Sequence, residues 1–141
     1  MKKEGMDQYL DDNKAVERLL KEWLKYDKIV VAYDFDNTVY DFHHEGYTYD
    51  DVTCLLREAD QLGAHLIVFT ASPVSNYPFI EEYLKVNNIP FHSINENPSF
   101  IPIEEGRKIY FNILLDDRAG LSSAYEILKK VVNTIKIKRG V

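Results

Sequence analysis

Apolar residues recur at Leu10, Val16, Leu19, Leu20, Trp23 and Leu24 with Lys, Glu and Asp between them. That spacing predicts an amphipathic helix over about residues 7 to 26. The pattern then changes. "KIVVAYDF" is β-branched and free of Gly and Pro, short enough for a strand buried on both faces. Thr48 with Asp51 three residues on has the form of a capping box, opening a helix "YDDVTCLLREADQL" that stops at Gly63. "AHLIVFT" reads as a second buried strand, "FIEEYLKVNN" as a helix and "IPFHSI" as a short third strand. "NENPSFIPIEEGRK" is Pro-rich and irregular. "IYFNILLDD" reads as a fourth strand, "AGLSSAYEILKKVVNTI" as a closing helix, and "KIKRGV" as a fifth strand or a frayed tail.

Strands alternating with helices imply βαβ units and a parallel sheet covered on both faces, a three-layer α/β/α Rossmann-like arrangement. Ligands in such sheets bind outside the carboxyl ends of the strands, where the strand order reverses. Asp34, Thr70 and Asp116 each end a different predicted strand, so all three should meet at one edge. A structure with Asp34 and Asp116 on adjacent central strands is expected.

Composition narrows this picture without changing it. A chain of 141 residues, 45% hydrophobic and 28% charged, is expected to be one domain, residues 1–27 forming the N-terminal helix and 28–141 the core. The formal charge of −6 argues against extended nucleic-acid binding, which needs clustered Lys and Arg. A single cysteine, Cys54, and an N-terminus without an apolar leader point to a cytoplasmic protein. No apolar run approaches the ~20 residues that span a bilayer, so no membrane partner is expected.

The chemistry concentrates at the strand ends. Carboxylates ending neighbouring strands ~4.8 Å apart can converge on one hard cation. Asp34, Asp36, Asp116 and Asp117 would repel one another without a cation or a proton, and oxygen-only ligands favour Mg²⁺ over zinc. An Asp-x-Asp at a strand end is by itself often a solvated loop start; the second acidic pair and Thr70 make that reading a poor one here. Cys54, on an apolar helix face, reads as a small core residue. His65 and His92 read as structural, and His43 and His44 as flap surface.

"DFDNT", "IVFTAS" and "ILLDDR", in that order and each at a strand end, resemble the motifs of the haloacid dehalogenase (HAD) superfamily, which are mostly Mg²⁺-dependent phosphatases and phosphotransferases. The resemblance implies that Asp34 is the nucleophile that takes the phosphoryl group as an aspartyl-phosphate. It makes Asp36 the acid that protonates the leaving oxygen and later activates water. Thr70 would grip a phosphate oxygen, with Ala71 and Ser72 in the same phosphate-binding turn. Mg²⁺ would sit on Asp34, Asp117 and the backbone carbonyl of Asp36, with Asp116 holding a metal-bound water or positioning other groups. The order within that last pair stays open.

The family also supplies a lysine beside the nucleophile, and the candidates here are Lys85 and Lys108. Lys108 lies eight residues before Asp116, roughly 26 Å away on an extended strand. A 94–107 loop folded back over the site would bring it nearer. Lys85 lies late on a helix that runs away from the site, and Arg118 lies at the right edge to stand in. Only about a dozen residues separate Thr38 from the helix near Asp50. They leave room for a flap, "YDFHHEGYTY", whose aromatics, His43 and His44 could touch substrate, but not for a cap domain. The expected function is thus a capless HAD-like phosphatase acting on a phosphorylated small molecule or macromolecule. The alternatives are a non-catalytic metal-binding or regulatory module, or a nucleotide or nucleic-acid-end phosphatase. A signal-receiver domain fits poorly, because its acidic pair opens the sheet and its lysine closes it. Oligomeric state leaves no mark in the sequence.

Overall fold

The computed structural model describes residues 7–101 and 108–141. A one-turn 3₁₀ helix at Gln8–Leu10 leads into α1 (Asp12–Tyr26), whose first turn is capped by the Asp11 carboxylate accepting the Asn13 N–H at 2.9 Å. The chain continues through β1 (Val30–Tyr33), α2 (Asp50–Gln61), β2 (His65–Val68), α3 (Tyr77–Val86), β3 (Ser93–Ile94), β4 (Ile113–Leu115) and α4 (Leu121–Arg139). All strand pairs are parallel, in the order β3-β2-β1-β4. The chain steps outward from β1 to β2 and β3, then returns to the other side of β1. The strand order therefore reverses between β1 and β4, which is where this class of sheet binds ligands.

The expected α/β, Rossmann-like three-layer arrangement is present. Alternation along each strand divides the sheet residues between two faces. Val31, Tyr33, Leu66, Val68, Ile113 and Leu115 form one core with the buried side chains of all four helices, including the wholly buried Trp23, Leu55, Leu84 and Leu128. Val30, Ala32 and Ile67 face the other way, under Phe69, Ile101, Ile109, Phe111 and Leu114. The irregular connection after β3 thus supplies part of the third layer; its residues 102–107 lie outside the described residues. Burying one large aliphatic side chain contributes about 1.5–3 kcal/mol, and both cores are made mostly of such residues.

Five local expectations change. β4 is shorter than "IYFNILLDD", because side chains take over the backbone pairing before it: Asn97 Oδ1 accepts the Tyr110 N–H at 2.6 Å and Asn112 Oδ1 accepts the Val30 N–H at 2.7 Å. β4 is adjacent to β1 as expected, but at the edge of the sheet rather than central. The tail is not a strand. α4 runs to Arg139, held there by Val132 and Ile135 in the core and by the Lys136 and Lys129 ammonium groups on Glu58. α2 starts on Tyr49 in a left-handed conformation with no side-chain cap. Asp50 and Asp51 serve its N-terminus by charge, in place of the Thr48 capping box. Cys54 faces solvent rather than the core. No helix of the described residues is long and apolar enough to cross a membrane.

Candidate active site

Register brings the functional residues to one level. Tyr33 is paired with Val68 on one side and Leu115 on the other, so the next residues, Asp34, Phe69 and Asp116, leave the sheet side by side. The ladder runs one step further, with the Asp34 N–H donating to the Leu115 carbonyl at 2.9 Å and the Phe69 N–H to the Tyr33 carbonyl at 2.8 Å. Beyond it the chain turns sharply. The Phe35 carbonyl accepts the N–H groups of Thr38, Val39 and Tyr40, and Asn37 takes a left-handed conformation. Asn37, His44, Tyr49 and Asn95 all have φ between 54 and 60°. Such conformations cost energy for residues other than Gly and tend to gather at functional sites.

Asp34, Asp36, Thr70, Ala71, Ser72, Asp116, Asp117 and Arg118 all line one open cavity of about 760 Å³. The carboxylates of Asp34, Asp116 and Asp117 each place an oxygen within 4.8 Å of the others. At that spacing and an effective dielectric of about 20, each charged pair repels by about 3 kcal/mol before solvent screening. The consequence shows at Asp34. Burial first, then the carboxylates of Asp116 and Asp117, push its pKa up to about 7, against a smaller opposing pull from the Phe35 backbone N–H. Asp36 lies outside the trio. Burial and Asp117 raise its pKa, and His43 pulls it back. An all-oxygen trio whose charges repel, two of them half-buried, fits a hard divalent cation such as Mg²⁺.

Two buried or half-buried side chains fix the loops. The Thr38 hydroxyl accepts the Asp117 N–H at 3.2 Å. The Asn95 side chain holds Thr70 by its main chain, accepting its N–H at 2.9 Å and donating to its carbonyl at 2.7 Å. The Thr70 hydroxyl oxygen accepts the Ser72 N–H at 3.1 Å.

The flap behaves as a short ordered turn. The Asp41 carboxylate accepts the N–H groups of Glu45 and Gly46 at 3.1 and 2.7 Å. Tyr40 stacks on Phe35 and meets Phe79 and Tyr83 of α3 edge-on. Phe42 and His43 line the cavity, whereas His44 turns to Tyr40. Asn37 and Phe69 also line it, and sequence reading did not single them out. Asn95 was missed too, although an Asn directly after a strand is a residue type that tolerates a left-handed turn.

The lysine candidates are not brought in. Lys85 borders a separate surface depression with Arg57 and Asp60. Lys108 is exposed beside Asn97 and Tyr110, and Tyr110 borders a cavity with Lys28 and Val30 at the opposite end of the strands. Arg118 and His43 are the basic side chains that line the cavity among the described residues. His65 and His92 lie away from the cavity: their rings stack at 4.7 Å, and His92 Nδ1 accepts the Leu66 N–H.

No family model matches the chain, and no curated protein matches it. A solved structure of a conserved protein coded by a locus of Bacteroides thetaiotaomicron is similar to it at 19% identity and a TM-score of 0.59, over 73% of this chain and 91% of that one. At that identity the likeness establishes a shared fold.

Proposed function

We propose that this chain is a Mg²⁺-dependent phosphate monoester hydrolase of the capless HAD type, acting in the cytoplasm through an aspartyl-phosphate. The observation that carries the reading is the trio Asp34, Asp116 and Asp117 at the switch point of the sheet, in one cavity with Thr70 and with Asp36 just outside the trio. Asp34 and Asp117, with the Asp36 carbonyl and Asp116 beside them, would hold Mg²⁺, whose charge offsets repulsion between carboxylate and phosphate.

The remaining work falls to the side chains. An Asp34 carboxylate oxygen attacks phosphorus as the ester P–O bond breaks, and the leaving oxygen takes a proton from Asp36. Water then attacks the aspartyl-phosphate, Asp36 takes back the proton, and inorganic phosphate leaves with Asp34 restored. Splitting the transfer in two lowers each barrier. The upward displacement of the Asp36 pKa, from burial and from Asp117, is in the direction a proton donor near neutral pH requires. The Thr70 hydroxyl, Ser72 and Arg118 face the phosphate oxygens. The site is open, which suits a phosphorylated macromolecule as well as a small ester.

The test is a panel of phosphate monoesters with and without Mg²⁺, run beside Asp34→Asn. Phosphate release that needs both Mg²⁺ and Asp34 is expected. A second reading, a non-catalytic metal-binding module, is favoured by one feature: no lysine lines the cavity among the described residues. A melting temperature that rises with Mg²⁺, joined to silence on every ester, would select it.

A further inference from the structure

We infer that Asn95 is a positioning residue that sets Thr70 as a hydrogen-bond donor to the phosphoryl group, an inference that rests on the phosphatase reading. Asn95 comes directly after β3, and its N–H donates to the Val68 carbonyl at 2.8 Å, carrying the β2–β3 pairing one residue past the strand. Its backbone is left-handed, with φ 54°, a conformation that Asn accepts more readily than most residues.

The side chain then meets a demand that few others could. Thr70 presents one donor and one acceptor, N–H and C=O, and the Asn95 amide answers both, at 2.9 and 2.7 Å. Nδ2 has a second hydrogen, and the Tyr77 hydroxyl lies 3.0 Å from it. The partners fix which end of the amide is oxygen, since the Thr70 N–H needs an acceptor and its carbonyl a donor. An Asp here would face the Thr70 carbonyl with a second acceptor. Asn95 itself does not line the cavity.

The consequence reaches the cavity through Thr70. With both main-chain groups held by Asn95, Thr70 offers the ligand only its hydroxyl. The hydroxyl oxygen already accepts the Ser72 N–H, so its hydrogen is the part left to donate. A phosphate oxygen accepts and never donates when ionised, and four carboxylates share this cavity with few cations. A hydrogen-bond donor therefore matters more here than at a cationic site.

The experiment is a double-mutant cycle on the affinity of the Mg²⁺-loaded protein for inorganic phosphate, read by calorimetry. Asn95→Gly keeps the left-handed backbone and removes the amide. Thr70→Val removes the hydroxyl. Asn95→Gly is expected to weaken phosphate binding about tenfold when Thr70 is present and by less than about twofold in the Thr70→Val background. Tyr77→Phe, a milder change should Asn95→Gly fold poorly, is expected to weaken it about two- to threefold with the same dependence on Thr70. Equal weakening in both backgrounds, or none in either, overturns the role of Asn95 while leaving the phosphatase reading standing. Wild-type protein that neither binds phosphate with Mg²⁺ nor releases it from esters overturns both.

Discussion

The wholly buried hydroxyl of Thr38 accepts the backbone N–H of Asp117 at 3.2 Å. This bond joins the turn after β1 to the turn after β4, and so sets Asp117 against Asp34. Thr38→Val keeps the shape and removes the acceptor. It is expected to cost about 1 kcal/mol in denaturant unfolding, with a larger loss when Mg²⁺ is present, because a displaced Asp117 also weakens the trio. Thr38→Ser should restore most of both. If Val and Ser variants unfold alike, this hydrogen bond is not what holds the two turns together.

Asp34 makes the metal-free protein pH-sensitive in a defined direction. Its folded-state pKa is raised, from 3.8 to about 7, by burial and then by Asp116 and Asp117. Folding therefore favours the protonated form. The stability this contributes is fully present below about pH 4 and is lost as pH rises through 7. Asp34→Asn cannot ionise. In EDTA it should melt close to wild type near pH 4 and increasingly above it as pH rises to 8, whereas Mg²⁺, which binds the ionised form, should narrow or reverse that gap. Melting curves that run parallel across this pH range would show that Asp34 is not held protonated.

The site was readable because its parts are local: each motif is a buried β-branched run cut off by carboxylates or a Thr, and parallel pairing alone brings the cut ends together. What escaped depends on distant partners. Nothing near Asn112 in the sequence shows that its side chain bonds Val30, 82 positions earlier, and so the sequence pattern alone extends β4 too far. Asn95 carries no charge and no motif, and its role appears only when Thr70 lies beside it. The tail was ambiguous for another reason: "KIKRGV" alternates like a strand, and only the fit of Val132 and Ile135 against the core and of Lys136 against Glu58 continues the helix through it.

Phe42 stands half-exposed on the cavity wall with its ring edge-on to His43 at 5.1 Å. An aromatic contact of this kind is worth about 0.5–1.5 kcal/mol. Phe42→Ala should therefore lower kcat/KM for aryl phosphates about two- to twelvefold more than for glycerol phosphate, leaving the Mg²⁺-dependent rise in melting temperature as it was. Equal losses on both ester classes would remove Phe42 from the leaving-group side of the cavity.

Asp34 and Asp36 are chemically alike and two residues apart, yet Asp34 belongs to the carboxylate trio and Asp36 does not, and the proposed reaction gives them different work. Asp34→Asn should abolish the phosphoryl-enzyme, because an amide is a far poorer nucleophile than a carboxylate. Asp36→Asn should keep the metal, since only the backbone carbonyl of that residue is assigned to it, and lose the proton relay. The proton matters most for a poor leaving group, because an alkoxide needs it as the bond breaks whereas nitrophenolate leaves without it. General acid help is worth about 10²- to 10⁴-fold, so Asp36→Asn should damage alkyl ester hydrolysis by about that factor and the first step with nitrophenyl phosphate much less. Water attack on the aspartyl-phosphate would then be slow, and nitrophenolate should appear in a burst equal to the enzyme present. Equal loss at both positions for every leaving group, with no burst, would mean that Asp36 does not carry the proton.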